Sequence, residues 1–163
     1  MNALEKRRQR ALSLNRFTLR LARNWLKITL VLIGIFAALP WVAPTLMQLG
    51  LTAPARVLYT LYSPFCHQFA FRSIFLYGEQ PFYPREVSGT TATPYEEIIA
   101  NSPEWRETVS RWVGMPGRSM FATVEEFNPY LWSPDLQFAS REFLGTAQMG
   151  YKTAICARDM ASY

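Results

Sequence analysis

From residue 28 to residue 55 no side chain carries a charge, and the run opens with the unbroken apolar stretch ITLVLIGIFAAL at 28–39. It continues through Trp41, Val42, Ala43, Leu46, Met47, Leu49 and Leu51. A helix needs about 20 such residues to cross a bilayer, so this run predicts a transmembrane helix, placed here at residues 25–46. Pro40 and Pro44 are tolerated better in membrane helices than in soluble ones. Trp25 and Trp41 suit interfacial anchoring at the two ends. Upstream, Leu14, Phe17, Leu21 and Trp25 recur with helical spacing. Arg16, Arg20, Arg23 and Lys27 fall on an adjoining face. The arm at 1–24 is therefore predicted to be a basic amphipathic helix, whose four cations face anionic headgroups at about 1 kcal/mol each. An ordinary charged flank and a contact with a neighbouring subunit fit the same residues.

Beyond the apolar run, apolar positions recur in short bursts separated by turn residues. Residues 53–63 predict a short helix with Val57, Leu58, Leu61 and Tyr62 at helical spacing, stopped by Ser63-Pro64. Residues 79–94, rich in Pro, Gly, Ser and Thr, predict a loop. Thr93-Pro94-Tyr95-Glu96 predicts a capped helix to Ala100. Ser102-Pro103-Glu104 opens another, with a Trp105, Val109, Trp112, Val113 stripe ended by Gly114. Short helices are further expected after Thr123 and, from the Ser133-Pro134-Asp135 cap, through Phe143 to Gly145. The closing segment 147–163 is predicted helical, and two-residue alternation is scarce throughout. The fold class expected is mainly α, with one N-terminal transmembrane helix and a small α-rich, loop-rich extracytoplasmic domain at 53–163.

Charge fixes the orientation. Residues 1–27 hold eight basic side chains against Glu5 alone, a net +7, and the rest of the chain is slightly acidic at −2. Such asymmetry points to nucleic acid or to an anionic membrane surface. Continuity of the arm with an apolar span selects the membrane, and no nucleic-acid partner is expected. Positive flanks stay inside, which predicts a cytoplasmic (inner) membrane protein with its N-terminus inside and its body outside. Ala53-Pro54-Ala55 resembles a signal-peptidase site, but the basic and apolar regions are both long for a cleaved signal. An uncleaved signal anchor is the reading adopted.

Composition removes several chemistries. Of 163 residues, half are hydrophobic and 15% aromatic, which excludes wholesale disorder. Two cysteines exclude a disulfide-dense scaffold, a four-cysteine zinc site and a four-cysteine iron–sulfur cluster from this chain alone. One histidine excludes a three-histidine zinc site. No dinucleotide-binding, Walker or nucleophile-elbow motif and no complete Ser/His/Asp set is legible, so an enzyme is not favoured and no cofactor is assigned. The pairs Glu96/Glu97 and Glu125/Glu126 read as solvated helix positions.

Candidate chemistry gathers at Cys66-His67-Gln68 and Cys156-Ala157-Arg158-Asp159. In an oxidising compartment Cys66 and Cys156 are disulfide candidates. Two unpaired buried cysteines are a second reading. A metal or redox site using Cys66, His67, Cys156 and Asp159 is a third. Arg72 and Arg158 would come near one another if the cysteines meet, with Asp159 as a partner, in either a structural pair or a cationic recess for a carboxylate, phosphate or quinone-like group. The possible site cluster is therefore His67, Gln68, Arg72, Ser73, Arg158 and Asp159.

Ser63-Pro64-Phe65-Cys66-His67-Gln68 followed by Arg72-Ser73, Phe75 and Gly78, and then Phe143-Leu144-Gly145, Met149-Gly150-Tyr151-Lys152 and Cys156-Ala157-Arg158-Asp159, resembles the CHQ…RS and C-x-R motifs of the domain-of-unknown-function 2085 family of predicted membrane proteins. The resemblance covers residues 55–163 and implies an integral membrane protein with both motifs at the membrane surface and no assigned activity. In that family further apolar spans follow the second motif. Here the sequence closes at Tyr163, which fits a shortened member, a fragment, or helices supplied by a partner. The function expected is a non-catalytic subunit or accessory protein, supported by aromatics expected at the surface (Trp105, Trp112, Tyr130, Trp132), with other membrane-protein subunits as partners. The alternative is a membrane-tethered redox or metal-handling protein using Cys66, His67 and Cys156.

Overall fold

The structure is a computed structural model, and it describes residues 3–158. It is mainly helical, as expected, with one long apolar N-terminal helix. That helix, α1 (Ala3–Gln48), runs through Pro40 and Pro44 without ending. The basic arm and the apolar run are thus one element rather than two. The chain divides into two compact units, Met1–Ala38 and Leu39–Tyr163.

The described residues of the first unit are all helix. Leu30, Val31, Leu32 and Ile33 are each about 60% exposed. Within the stretch Arg7–Gln48 the most apolar window is long and apolar enough to cross a membrane, and only 11% of it is covered by protein. Arg16, Arg20, Arg23 and Lys27 are all exposed.

The second unit begins with the last turns of α1. Ala43 packs in one buried cluster with Ala55, Tyr59 and Tyr62 of α2 (Thr52–Tyr62) and with Ala154. A larger cluster holds Phe71, Phe75, Tyr83, Tyr95, Ile99, Trp105, Val109, Leu136, Phe143 and Met149. Edge-to-face ring pairs such as Trp105–Phe143 at 5.3 Å order it.

Three short strands, β1 (Ser73–Leu76), β2 (Gly145–Thr146) and β3 (Gly150–Cys156), form an antiparallel sheet in the order β1-β3-β2. This corrects the expectation of a helix over 147–163 for residues 150–156; residues 159–163 lie outside the described residues. β3 is buried at five of seven positions, so the alternation that betrays a half-exposed strand is missing. Gly78 and Gly150 lie against facing backbone so closely that a Cβ on Gly78 would overlap the Met149 carbonyl, and one on Gly150 the Leu76 carbonyl. Gly150 also has φ +77°, a conformation glycine adopts without strain.

Three helices follow the chain's signals with corrections. α3 (Tyr95–Ala100) starts one residue later than expected, and Thr93 does not cap it, because Pro94 is extended with ψ 147°. α4 (Pro103–Ser110) and α5 (Pro134–Glu142) start as expected. Ser102 Oγ accepts from the Trp105 amide, and Ser133 Oγ accepts from the Leu136 amide. α4 closes at Ser110, four residues before Gly114. The residues after Thr123 form turns, not a helix. Glu96, expected in solvent, is 1% exposed and holds Arg85 at 2.7 Å. Trp105, expected at the surface, is 3% exposed. Trp112 is half-buried and stacks on Phe138. Ser133→Ala should lower the stability of this unit by about 1 kcal/mol, because it orphans the Leu136 amide. A chemical denaturation midpoint unmoved by the substitution would remove the cap from the account.

Candidate functional site

The chain leaves α2 through a turn and reaches Cys66-His67-Gln68 just before β1. Gln68 has φ +54°, a left-handed conformation rare outside glycine, and is 3% exposed. Such a conformation persists only where the surroundings over-determine it, and here they do. The Gln68 amide nitrogen Nε2 donates to the carbonyls of Tyr59 and Ala154, both at 2.8 Å. Its backbone N–H donates to Cys66 Sγ at 3.2 Å, and its carbonyl accepts from Lys152 Nζ at 2.7 Å. One side chain thereby ties α2 to β3.

Cys66 and Cys156 lie at disulfide distance, with their Cα atoms 6.5 Å apart. Both are 5% exposed. The Cys156 amide donates to Cys66 Sγ at 3.1 Å. Ser73 lies opposite Cys156 in the β1–β3 register, and its hydroxyl donates to the Phe69 carbonyl at 2.9 Å. The two sequence motifs, 90 residues apart, therefore meet at one end of the β1–β3 pair.

The residue that sequence reasoning missed is Lys152. It is fully buried on β3, and its ammonium donates to three carbonyls: Gln68 (2.7 Å), Ser140 (3.1 Å) and Arg141 (2.6 Å). Ser140 and Arg141 close α5, where the last carbonyls have no partner within the helix. The cation caps that negative end and joins it to the Gln68 turn. Three donors meet three acceptors, the complement of an ammonium group. Burial nonetheless pushes the amine well below the usual lysine range; nearby Arg141 acts the same way and Glu142 opposes it. Tyr59 donates from its hydroxyl to the Lys152 carbonyl at 2.5 Å, and burial, then Tyr151, raises its phenol well above the ordinary tyrosine value.

Two predicted site residues, His67 and Arg72, lie at the surface beside this network. His67 is exposed, its ring tilted against that of Phe69 with centroids 5.4 Å apart. Arg72 is exposed and sits over the rings of Phe69 and Phe71, at 6.0 and 5.9 Å. Arg158 is exposed. Asp159 lies outside the described residues. Among the described residues no three His, Cys, Asp or Glu side chains are placed to hold a metal ion.

A mixed-charge cleft of about 600 Å³ opens nearby, lined by Arg56, Arg111, Arg141, Glu104, Glu107 and Glu142. Arg111 pairs with Glu107 at 2.7 Å and with Glu142 at 3.7 Å, and Arg141 donates to the Ser63 carbonyl. Arg111, Glu107 and Glu142 thus satisfy one another, and the lining residues include neither His67 nor a cysteine. Compared with protein-family models, with curated proteins and with solved structures, the chain matches none.

Proposed function

We propose that this chain is a single-span protein of the cytoplasmic membrane, with its N-terminus inside and its second unit outside, acting as a non-catalytic subunit or accessory protein of a larger membrane complex. The observation that carries the reading is the fate of the motif residues. Cys66, Gln68, Ser73, Lys152 and Cys156 spend their polar groups on backbone and on one another, so they fix a shape instead of presenting reactive groups to a substrate. The resemblance of the two motifs to a family of predicted membrane proteins supports the membrane part of this reading alone. What the shape presents is apolar: Tyr130, Leu131 and Trp132 are 57%, 45% and 47% exposed in consecutive positions. A run of this kind favours burial against another protein. On the inside, Arg16, Arg20, Arg23 and Lys27 contact anionic headgroups.

Extraction in a mild detergent tests this directly. The full chain is expected to migrate with other membrane proteins, and Leu131→Asp with Trp132→Asp to release it. A monodisperse lone monomer from such an extract overturns the subunit reading. An impermeant thiol reagent applied from the outside should label a Val87→Cys variant, a position 87% exposed on the second unit; labelling only from the cytosol reverses the orientation. A second reading, redox work at the paired sulfurs, is favoured by their proximity alone. A thiol count that does not change across physiological potentials, with no bound metal, ends it.

A further inference from the structure

We infer that the outward face of α2 is a lipid-facing surface, seated where headgroups meet acyl chains on the outer side of the membrane. This rests on the proposed span and says more than it, because a span alone leaves the following domain clear of the bilayer.

α2 has three faces. Ala55, Tyr59 and Tyr62 are buried in the core. Thr52, Arg56 and Thr60 form a narrow exposed polar strip. Between them the helix turns Val57 (66% exposed) and Leu61 (51% exposed) outward, four residues apart on one face. Phe65, 65% exposed, follows directly after the helix. A helix apolar on two faces with a thin polar strip is built for an interface between protein, lipid and water.

Length supplies the occupant. A bilayer takes about 20 helical residues, and the span at 25–46 supplies them. Leu39, Ala43, Leu46 and Met47 belong to the cluster that α2 fills with Ala55, Tyr59 and Tyr62. The last eight residues of the span, roughly 12 Å of helix, therefore share an apolar cluster with the buried face of α2. A bilayer deep enough to cover them reaches Val57 and Leu61. Tyr77 marks the same level: its hydroxyl lies 2.9 Å from Thr45 Oγ1, and its ring is 53% exposed, as befits a residue of the aromatic belt. The first charge after the span, Arg56, lies on the polar strip, from which a guanidinium reaches the headgroups.

Photo-crosslinking in isolated native membranes tests the surface. Benzoylphenylalanine is placed singly at Ile33, Val57, Leu61 or Thr60 of the full chain, and adducts are identified by mass spectrometry. Phospholipid adducts are expected at Ile33, Val57 and Leu61, and several-fold fewer at Thr60. Lipid adducts at Ile33 with none at Val57 and Leu61, or with polypeptide adducts there, overturn the surface and leave the span standing. Equal lipid adducts at Thr60 also overturn it. No lipid adduct at Ile33 overturns the span, and the surface with it.

Discussion

Replacing Lys152 by methionine should destabilise the second unit by about 3 kcal/mol or more. The side chain keeps its length and loses every donor. The carbonyls of Gln68, Ser140 and Arg141 are then buried without partners, and each unsatisfied buried acceptor costs about 1–3 kcal/mol, with partial relaxation expected. Arginine should not rescue the loss, because its planar fork cannot converge on three carbonyls that a single nitrogen reaches. Thermal unfolding in detergent measures it; a Lys152→Met melting temperature within a degree or two of the parent would remove the cradle from the account. The pH profile gives a second, independent readout. The folded-state pKa lies below the free-lysine value of 10.5, so between the two the unfolded chain holds more protons. Stability therefore rises with pH across that window, and the contribution is smallest below the folded pKa, where a charged amine stays buried. The rise is read up to about pH 9.5, before the buried tyrosines, whose folded-state pKa values are raised, begin to lower stability through ionisation of the unfolded chain. The Lys152→Met protein should lack the rise.

That such a residue escaped the sequence is instructive. A lysine in a sequence is read as exposed, and its three acceptors are backbone carbonyls 11, 12 and 84 residues away, which leave no side-chain signature. β3 was hidden for a related reason: burial at most positions erases the alternation that marks strands. Glu96 looked solvated because its partner, Arg85, lies 11 residues upstream across an irregular loop. What was legible was local. The uncharged run, the cationic arm and the caps at Ser102 and Ser133 are signals written within a few residues of the elements they specify. The candidate site was half legible. Cys66, Gln68, Ser73 and Cys156 stood out as a group, and the chain does bring them together. Their role as braces follows only from contacts between segments 86–93 residues apart.

Removing the cross-link between Cys66 and Cys156 should cost about 2–5 kcal/mol. The pair closes a loop with a sequence separation of 90. The chain-entropy account gives about 4–5 kcal/mol for a loop of that size, with measured values commonly lower. Cys66 also accepts hydrogen bonds at its sulfur from the Gln68 and Cys156 amides, so two variants separate the contributions. Cys66→Ser loses the covalent link and keeps an acceptor near those amides, whereas Cys66→Ala loses both. The difference between them should be about 1 kcal/mol, the usual net value of a hydrogen bond. Reductant should lower the denaturation midpoint of the parent protein and leave that of Cys66→Ser unmoved, since the variant has no bond to break. Two free thiols in protein purified without reductant, together with a reductant-insensitive midpoint, would show that the sulfurs meet without bonding. The Gln68 turn would then be held by hydrogen bonds alone, and Gln68→Ala, which removes the donors to Tyr59 and Ala154, would become the more damaging change of the two.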